Sequence, residues 1–418
     1  PSPAGAMDRR AFFRWLAAAA AAGPAAALFP GAFGRLLASD VPTPADKAGL
    51  GGAATRPARP LVRFPEKADL ILLTDRPPNL ETPIRFFRED LTPNEAFFVR
   101  WHLGGIPTSI NSTTFRLTVG GHVGSPLSLS LDDLKKNFEP ASIVAVNQCS
   151  GNGRALFAPR VPGGQWDNGG MGNAKWTGVR LADLLKKAGV KAGAVDVTFG
   201  GLDRSPLPTV APFVKSIPVG HAKLSEAIVA YAMNDAPLPM LNGFPLRLVV
   251  PGWYATYWVK ALSEVMVTPE KFAGFWMAKA YRIPTTPNMV EAPDALAKDT
   301  VPITDMTCRS VLVRPEPGER VAAGKAVEVE GVAFDRGTGI AKVEVSVDGG
   351  KTWAAAALDK DLGKYSFRRF RFAWTPAAGR HTVMARATNA AGETQTTEQW
   401  NRAGYGRNVI EAVTVEAA

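Results

Sequence analysis

AKVEVSVDGGKTW, residues 341–353, alternates apolar and polar side chains and then breaks at a glycine pair. A strand sends successive side chains to opposite faces, so Val343, Val345 and Val347 share one face. The same texture runs outward through KAVEVEGVAFD (325–335), FRRFRFAW (367–374) and HTVMARATNAAG (381–392). Phe370, Phe372 and Trp374 share a face in the third of these. Turn signals such as DGG and NAAG divide the runs at sandwich-like intervals. From Val301 onward the chain therefore reads as an all-β immunoglobulin-like sandwich of about a hundred residues.

Upstream the pattern differs. Between Leu70 and Lys298 short apolar runs mix with two helices, SLDDLKKNF (130–138) capped by Ser130 and RLADLLKKAGV (180–190) stopped by Gly189. PLRLVVPG (245–252) reads as a central strand. Strands and helices do not alternate regularly, which favours α+β over a doubly wound sheet. A chain of 418 residues is too long for one core and predicts two domains. Residues 41–65, rich in Pro, Gly and Ala, read as a linker or arm.

The first forty residues predict export. MDRRAFFRWLAAAAAAGPAAALFPGAF (7–33) pairs Arg9 with Arg10 ahead of a modest alanine-rich stretch, interrupted by Gly23 and Pro24. That stretch is too weakly apolar for a membrane span, and a twin-arginine signal over 1–40 fits it, placing the mature protein in the periplasm without a span. Twin-arginine export carries folded cargo, which suits a protein loaded with cofactor beforehand. The net charge of +10 comes with no basic tract interleaved with aromatics and no nucleic-acid motif, so it points to an anionic small substrate or an acidic partner.

Two cysteines stand in the whole chain, Cys149 and Cys308, and both are expected free, Cys308 as a small buried hydrophobe. Cys149 lies in VNQCSGNGRALFAPR (146–160), where an apolar strand empties into a Gly/Asn loop, a favoured place for chemistry. Four scattered histidines and no CxxC argue against a protein-only zinc site, and the lack of CxxCH argues against haem in this chain. No GxGxxG, GxSxG or Walker loop occurs. Two readings stay open: a Cys–His–Asn nucleophile, or a thiolate ligand to a metal otherwise held by an organic cofactor. The second needs a large polar pocket with cations, and Arg100, Arg154, Arg247 and Lys260 each sit in or beside an apolar run.

Seven dispersed segments then match one family in order: FFVRWHL (97–103), NQCSGNGR (147–154), GQWDNGGMGNAKWTGVRL (164–181), GLDRSP (201–206), PLPMLNGFPLRLVVPGWYATYWVKAL (237–262), FWMAKAYRIP (275–284) and EQWNRAGYGRNVIEAVTVE (398–416). The chain resembles the sulfite oxidase family over roughly residues 65–418. The resemblance implies a molybdopterin domain over 66–300 and a dimerisation domain over 301–418, and hence a homodimer, for which Val343, Val345 and Val347 offer a contact face. It implies molybdenum-molybdopterin as cofactor, with Cys149 as the metal's thiolate ligand. Arg100, Arg154 and Tyr281 would line the oxyanion pocket, with Trp166 and Trp276 as its walls. Phe98, Val99, Arg100, Trp101, His102, Asp203, Asn242, Arg247, Trp258, Val259 and Lys260 would hold the pterin and its phosphate.

Two departures accompany it. Asn242 stands where vertebrate relatives have histidine, and Ala403 where they have a substrate arginine, with Arg402 displaced by one residue. The implied activity is oxidation of sulfite to sulfate, with electrons leaving to a separate c-type cytochrome. Rival readings are nitrate reduction, against which Tyr281 speaks because nitrate reducers of the family carry asparagine there, and methionine-sulfoxide reduction, whose enzymes lack the sandwich. A non-catalytic exported binding protein is a third, distinguished by whether the chain holds molybdenum.

Overall fold

The computed structural model describes residues 59–418. The export signal and the arm up to residue 58 lie outside the described residues. The end of the stretch read as an arm is a strand: Leu61–Arg63 pairs antiparallel with Asp69–Asp75 and opens a four-stranded sheet that continues through Pro78–Glu81 to Val99–Arg100.

Two further sheets build the upstream body. One orders Val214–Pro218, Asp196–Gly201, Leu262–Thr268, Leu117–Gly121 and Leu127–Leu129, with a single parallel pair between the third and fourth. The other orders Ala236–Pro237, Ile228–Met233, Met171–Arg180 and Pro140–Gln148. Both expected helices form. Leu131–Asn137 starts at Ser130, whose side chain and that of Asp133 cap each other's backbone N–H groups. Leu181–Ala188 buries Leu181, Leu184, Leu185 and Ala188 on one stripe and ends at Gly189, whose φ of 68° closes the last turn.

One strand assignment is corrected. Arg247–Val249 is only three residues long and flanks Ile228–Met233 instead of running through the middle of a sheet. Its other edge makes only isolated bonds, Leu248 N to Val259 O and, just before the strand, Leu262 N to Leu246 O at the start of Leu262–Thr268. A mostly apolar run reports burial on both sides, and here the backbone around Val259 and Leu262 provides one of them.

Downstream, two sheets face each other. Arg309–Arg314, Val327–Phe334, Arg368–Trp374 and Ala357–Leu358 form one; Arg320–Val321, Ala412–Ala417, Gly379–Asn389, Ile340–Ser346 and Ala354–Ala355 form the other. Val329, Val343, Val345, Phe370, Val383 and Val415 fill the space between them. Val343 and Val345 are thus fully buried, with Val347 packed on the same core, so this face is spent inside the domain and cannot serve as the expected contact between chains. The alternation gave the shared face correctly but not which side it meets.

The first of these sheets is covered twice. Leu312, Val329 and Ala333 face the sandwich core, whereas Val311, Val313, Val332 and Phe334 join the upstream core. This explains why Arg309–Arg314 is buried along nearly its whole length. Thr300–Pro302 pairs back onto Arg282–Pro284, and Ile303 and Met306 pack against the upstream core. Arg309 ties the two parts together. It is wholly buried, donates to Asn152 O (3.2 Å) and Asn168 Oδ1 (2.6 Å), and lies 3.5 Å from Glu411. Arg309→Met is expected to lower the unfolding free energy by about 1.5–3 kcal/mol, the worth of charge-assisted bonds to this loop. Denaturant titration reads the loss, and unchanged stability would show the contact to be dispensable.

Candidate functional site

The strand Pro140–Gln148 ends where Cys149 begins the loop. Cys149 N donates to Gly170 O (2.9 Å) and Asn152 N to Cys149 O (3.0 Å), so both sides of the thiol's backbone are pinned. Cys149 is 6% exposed. Arg154, on the following turn, is held in a cradle of glycines. A Cβ on Gly151 would come 2.7 Å from its Cζ, on Gly163 2.9 Å from Nη1, and on Gly404 2.8 Å from Cγ. Its donors reach Ala403 O (3.0 and 3.2 Å) and Gly164 O (3.1 Å), and its guanidinium lies 4.9 Å over the Tyr405 ring.

Beside this loop opens a cavity lined by Phe98, Arg100, His102, Leu241, Asn242, Arg247, Ala255, Thr256, Lys260 and Tyr281. Among the described residues, three cations line it and no carboxylate does. Arg247 is 4% exposed; it donates to Asn242 O (2.9 Å) and Asn147 Oδ1 (3.0 Å), and its Nε has no partner among the described residues. Thr256 Oγ1 and Asn147 Nδ2 are likewise unpartnered there. Burial pulls the Arg247 guanidinium down to about 9. Burial, then Arg247, pulls the Lys260 ammonium down to about 7. Asp203 stands behind Lys260, and burial pushes its carboxyl up. Buried donors and cations, with no carboxylate on the cavity wall among the described residues, fit a ligand that brings phosphate, which would satisfy and recharge them.

At the other end, His102 and Tyr281 share a hydrogen bond between Nε2 and the hydroxyl. Burial, then Arg100, Lys260 and Lys215, hold His102 well below the ordinary imidazole range, so the ring is neutral. It stacks on Phe213 at 3.8 Å. Tyr281 stacks on Tyr405 at 5.4 Å and adopts a φ of 58°, a left-handed backbone that costs a non-glycine residue about 1–3 kcal/mol and is kept where a side chain must be aimed.

Of the residues expected at the pterin, Phe98, Arg100, His102, Asn242, Arg247 and Lys260 line the cavity, joined by Tyr281. Val99 and Trp101 sit behind it in a small core with Leu70 and Leu80; Trp101 lies 4.5 Å under the Lys260 ammonium. Trp258 and Val259 are buried in the main core. Trp166, expected as a wall, is 1% exposed and packs edge-on behind Phe98, offering no open face. Trp276 packs on His102 and Phe213 from outside. Arg402 turns away to Glu291 (2.6 Å) and Ala297 O, and it is the carbonyl of Ala403 that meets Arg154.

Three residues escaped the sequence reading. Lys67, 5% exposed, donates to Asn94 O (2.7 Å), Phe97 O (3.0 Å) and Asn242 Oδ1, leaving the Asn242 amide to donate to Phe98 O. Tyr405 roofs Arg154. Lys215 lies in PFVKSIPV, where a charge inside an apolar run was a legible signal. Burial draws Lys67, Lys215 and Lys260 from the ordinary 10.5 to about 7. Between pH 7 and 10.5 the unfolded chain therefore binds more protons at these sites than the folded one, so cofactor-free protein should gain stability as pH rises through that window. Thermal unfolding across pH checks this, and falling stability from pH 7 to 9 would contradict it.

The domain models match in two blocks, an oxidoreductase molybdopterin binding domain over residues 103–276 and a Mo-co oxidoreductase dimerisation domain over 300–417. The mitochondrial sulfite oxidase of Macaca fascicularis is 38% identical over 311 residues, 72% of this chain and 55% of that protein. The sulfite oxidase of Arabidopsis thaliana is 33% identical, with 66% of this chain matched to 72% of that protein. The chain belongs to the sulfite oxidase family. It spans about half the length (55%) of the mammalian sulfite oxidases it matches. The fold also resembles the crystal structure of the sulfane dehydrogenase SoxCD from Paracoccus pantotrophus, with a TM-score of 0.72 and 24% identity over 91% of this chain and 96% of that one. Molybdopterin is accordingly the group the cationic cavity fits.

Proposed function

We propose that this chain oxidises sulfite to sulfate at a molybdopterin-bound molybdenum and passes the two electrons, one at a time, to a separate c-type cytochrome. The observation that carries the reading is the cavity of Arg100, Arg247 and Lys260 without a carboxylate, next to the Cys149 loop. Arg247, Lys260, Asn242 and Thr256 would hold the pterin phosphate, and Cys149 would ligate the metal. The bound cofactor supplies the two-electron redox chemistry and the site for oxygen transfer.

The chain's own groups do the rest. Arg100 presents positive charge that binds and orients the sulfite anion. Arg154, clamped by carbonyls and Tyr405, adds positive field without room to swing. The Tyr281 hydroxyl, held by neutral His102, donates to a substrate oxygen, and burial keeps its proton in place by raising its pKa. Water supplies the oxygen gained by the product, releasing two protons.

Purified protein should contain stoichiometric molybdenum and reduce cytochrome c on addition of sulfite. Metal-free protein that cannot be loaded would sink the enzyme reading; loaded protein inert to sulfite would sink the substrate.

Twin-arginine export to the periplasm belongs to the same reading and rests on Arg9 and Arg10 ahead of the alanine-rich stretch. So does an immunoglobulin-like classification of the two facing sheets. No helix among the described residues is long and apolar enough to cross a membrane. The match to a dimerisation domain supports a homodimer, through a surface other than the Val343 face. Light scattering at micromolar concentration should give twice the chain mass, and a monomer would refute it.

A further inference from the structure

Lys215 is wholly buried on the strand Val214–Pro218, opposite Phe199 of the neighbouring strand. Its ammonium donates to Trp276 O (2.7 Å) and lies 4.5 Å from the Tyr257 ring centre and 5.3 Å from that of Tyr281. No carboxylate is within ion-pairing distance of it among the described residues. It does not line the cavity, whereas Tyr281, the ring it lies against and whose backbone is left-handed, lines it together with Arg100.

We propose that Lys215 is a positioning residue for the anionic substrate, supplying positive charge to the inner end of the site through the Tyr281 ring. A cation behind a tyrosine polarises the ring and strengthens its hydroxyl as a donor to an anion. The ammonium also fixes Trp276 O and the Tyr281 ring relative to each other, which helps hold the strained backbone at Tyr281. This deepens the proposed function and rests on it: the substrate must be an anion received at Tyr281.

The titratable groups facing Lys215 are Tyr257 and Tyr281 at its tip and His102 beyond. Burial raises the pKa of both tyrosines and lowers that of His102, so all three stay neutral near pH 7. Burial brings Lys215 itself to about 7, so its charge is present below that pH and fades above it. Anion affinity should follow the same course.

Sulfate is the probe, because it stays a dianion throughout this range and its binding can be followed by tryptophan fluorescence beside Trp276, without turnover. Molybdenum-loaded wild type should bind sulfate more weakly as pH rises from 6 to 8.5. Lys215→Met should bind roughly three- to tenfold more weakly than wild type at pH 6 and equally at pH 8.5. Lys215→Arg, charged throughout, should keep its affinity across the range. A Lys215→Met profile that tracks wild type overturns the proposal. So does a uniform loss at every pH, or a loss of bound molybdenum, since either assigns the lysine to the framework alone. Failure of the reading beneath it appears elsewhere, as loaded wild type that binds sulfate but oxidises no sulfite.

Discussion

Cys149→Ser should leave a folded protein that oxidises no sulfite, with kcat down by about a thousandfold or more, equivalent to about 4 kcal/mol of barrier. A hydroxyl is a hard, weakly acidic donor and a poor replacement for a thiolate on a soft metal site. The fold should tolerate the change because the loop is held through its backbone, Cys149 N on Gly170 O and Asn152 N on Cys149 O, and not through sulfur. Cys308 provides the control. It is buried in the sandwich core and its thiol is pushed up to about 12 by burial, so Cys308→Ser should lower stability slightly and leave sulfite oxidation alone. Steady-state rates and metal content separate the outcomes. Normal turnover by folded, loaded Cys149→Ser would remove the thiolate from the mechanism.

The parts of this architecture that could be read from sequence are those set by local rules. Ser130 and Gly189 bound their helices because capping and left-handed closure depend on neighbours within a turn. Alternation put Val343 and Val345 on one face, but whether that face meets the domain's own core or another chain depends on strands far away in sequence. The same limit undid the central-strand reading of Arg247–Val249, whose second flank is the backbone of Val259 and of Leu262 at the start of a strand from another sheet. At the site, cations embedded in apolar runs were visible in Arg100, Arg247 and Lys260, and the structure gathers all three around one cavity. Lys67 gave no such signal. Its partners come from two places distant in sequence, Asn94 and Phe97 from one loop and Asn242 from the short helical turn Met240–Asn242. Tyr405 lies in the segment 398–416, but its role depends on the glycine cradle that brings Arg154 across from another domain.

Arg247→Met should move two measurements in opposite directions. In cofactor-free protein the guanidinium is buried against the Trp176 and Trp258 rings and, among the described residues, no carboxylate on the cavity wall balances it and its Nε has no partner. Replacing such a charge with a methionine of similar length removes a desolvation cost, so the metal-free variant should be as stable as metal-free wild type or more so, by up to about 1–4 kcal/mol. Cofactor retention should fall instead. Losing one charge-assisted contact to phosphate costs about 1.5–3 kcal/mol, or roughly 10- to 150-fold in affinity. Ligand binding stabilises only the folded state, so the gap in melting temperature between loaded and empty protein should shrink in the variant. Arg247→Lys should fall between the two, keeping charge but not the planar fork that reaches Asn242 O and Asn147 Oδ1 together. Two measurements decide the matter, melting of the empty proteins and molybdenum content after purification. A variant less stable when empty yet fully loaded with molybdenum would mean that Arg247 serves the core and not the cofactor's phosphate.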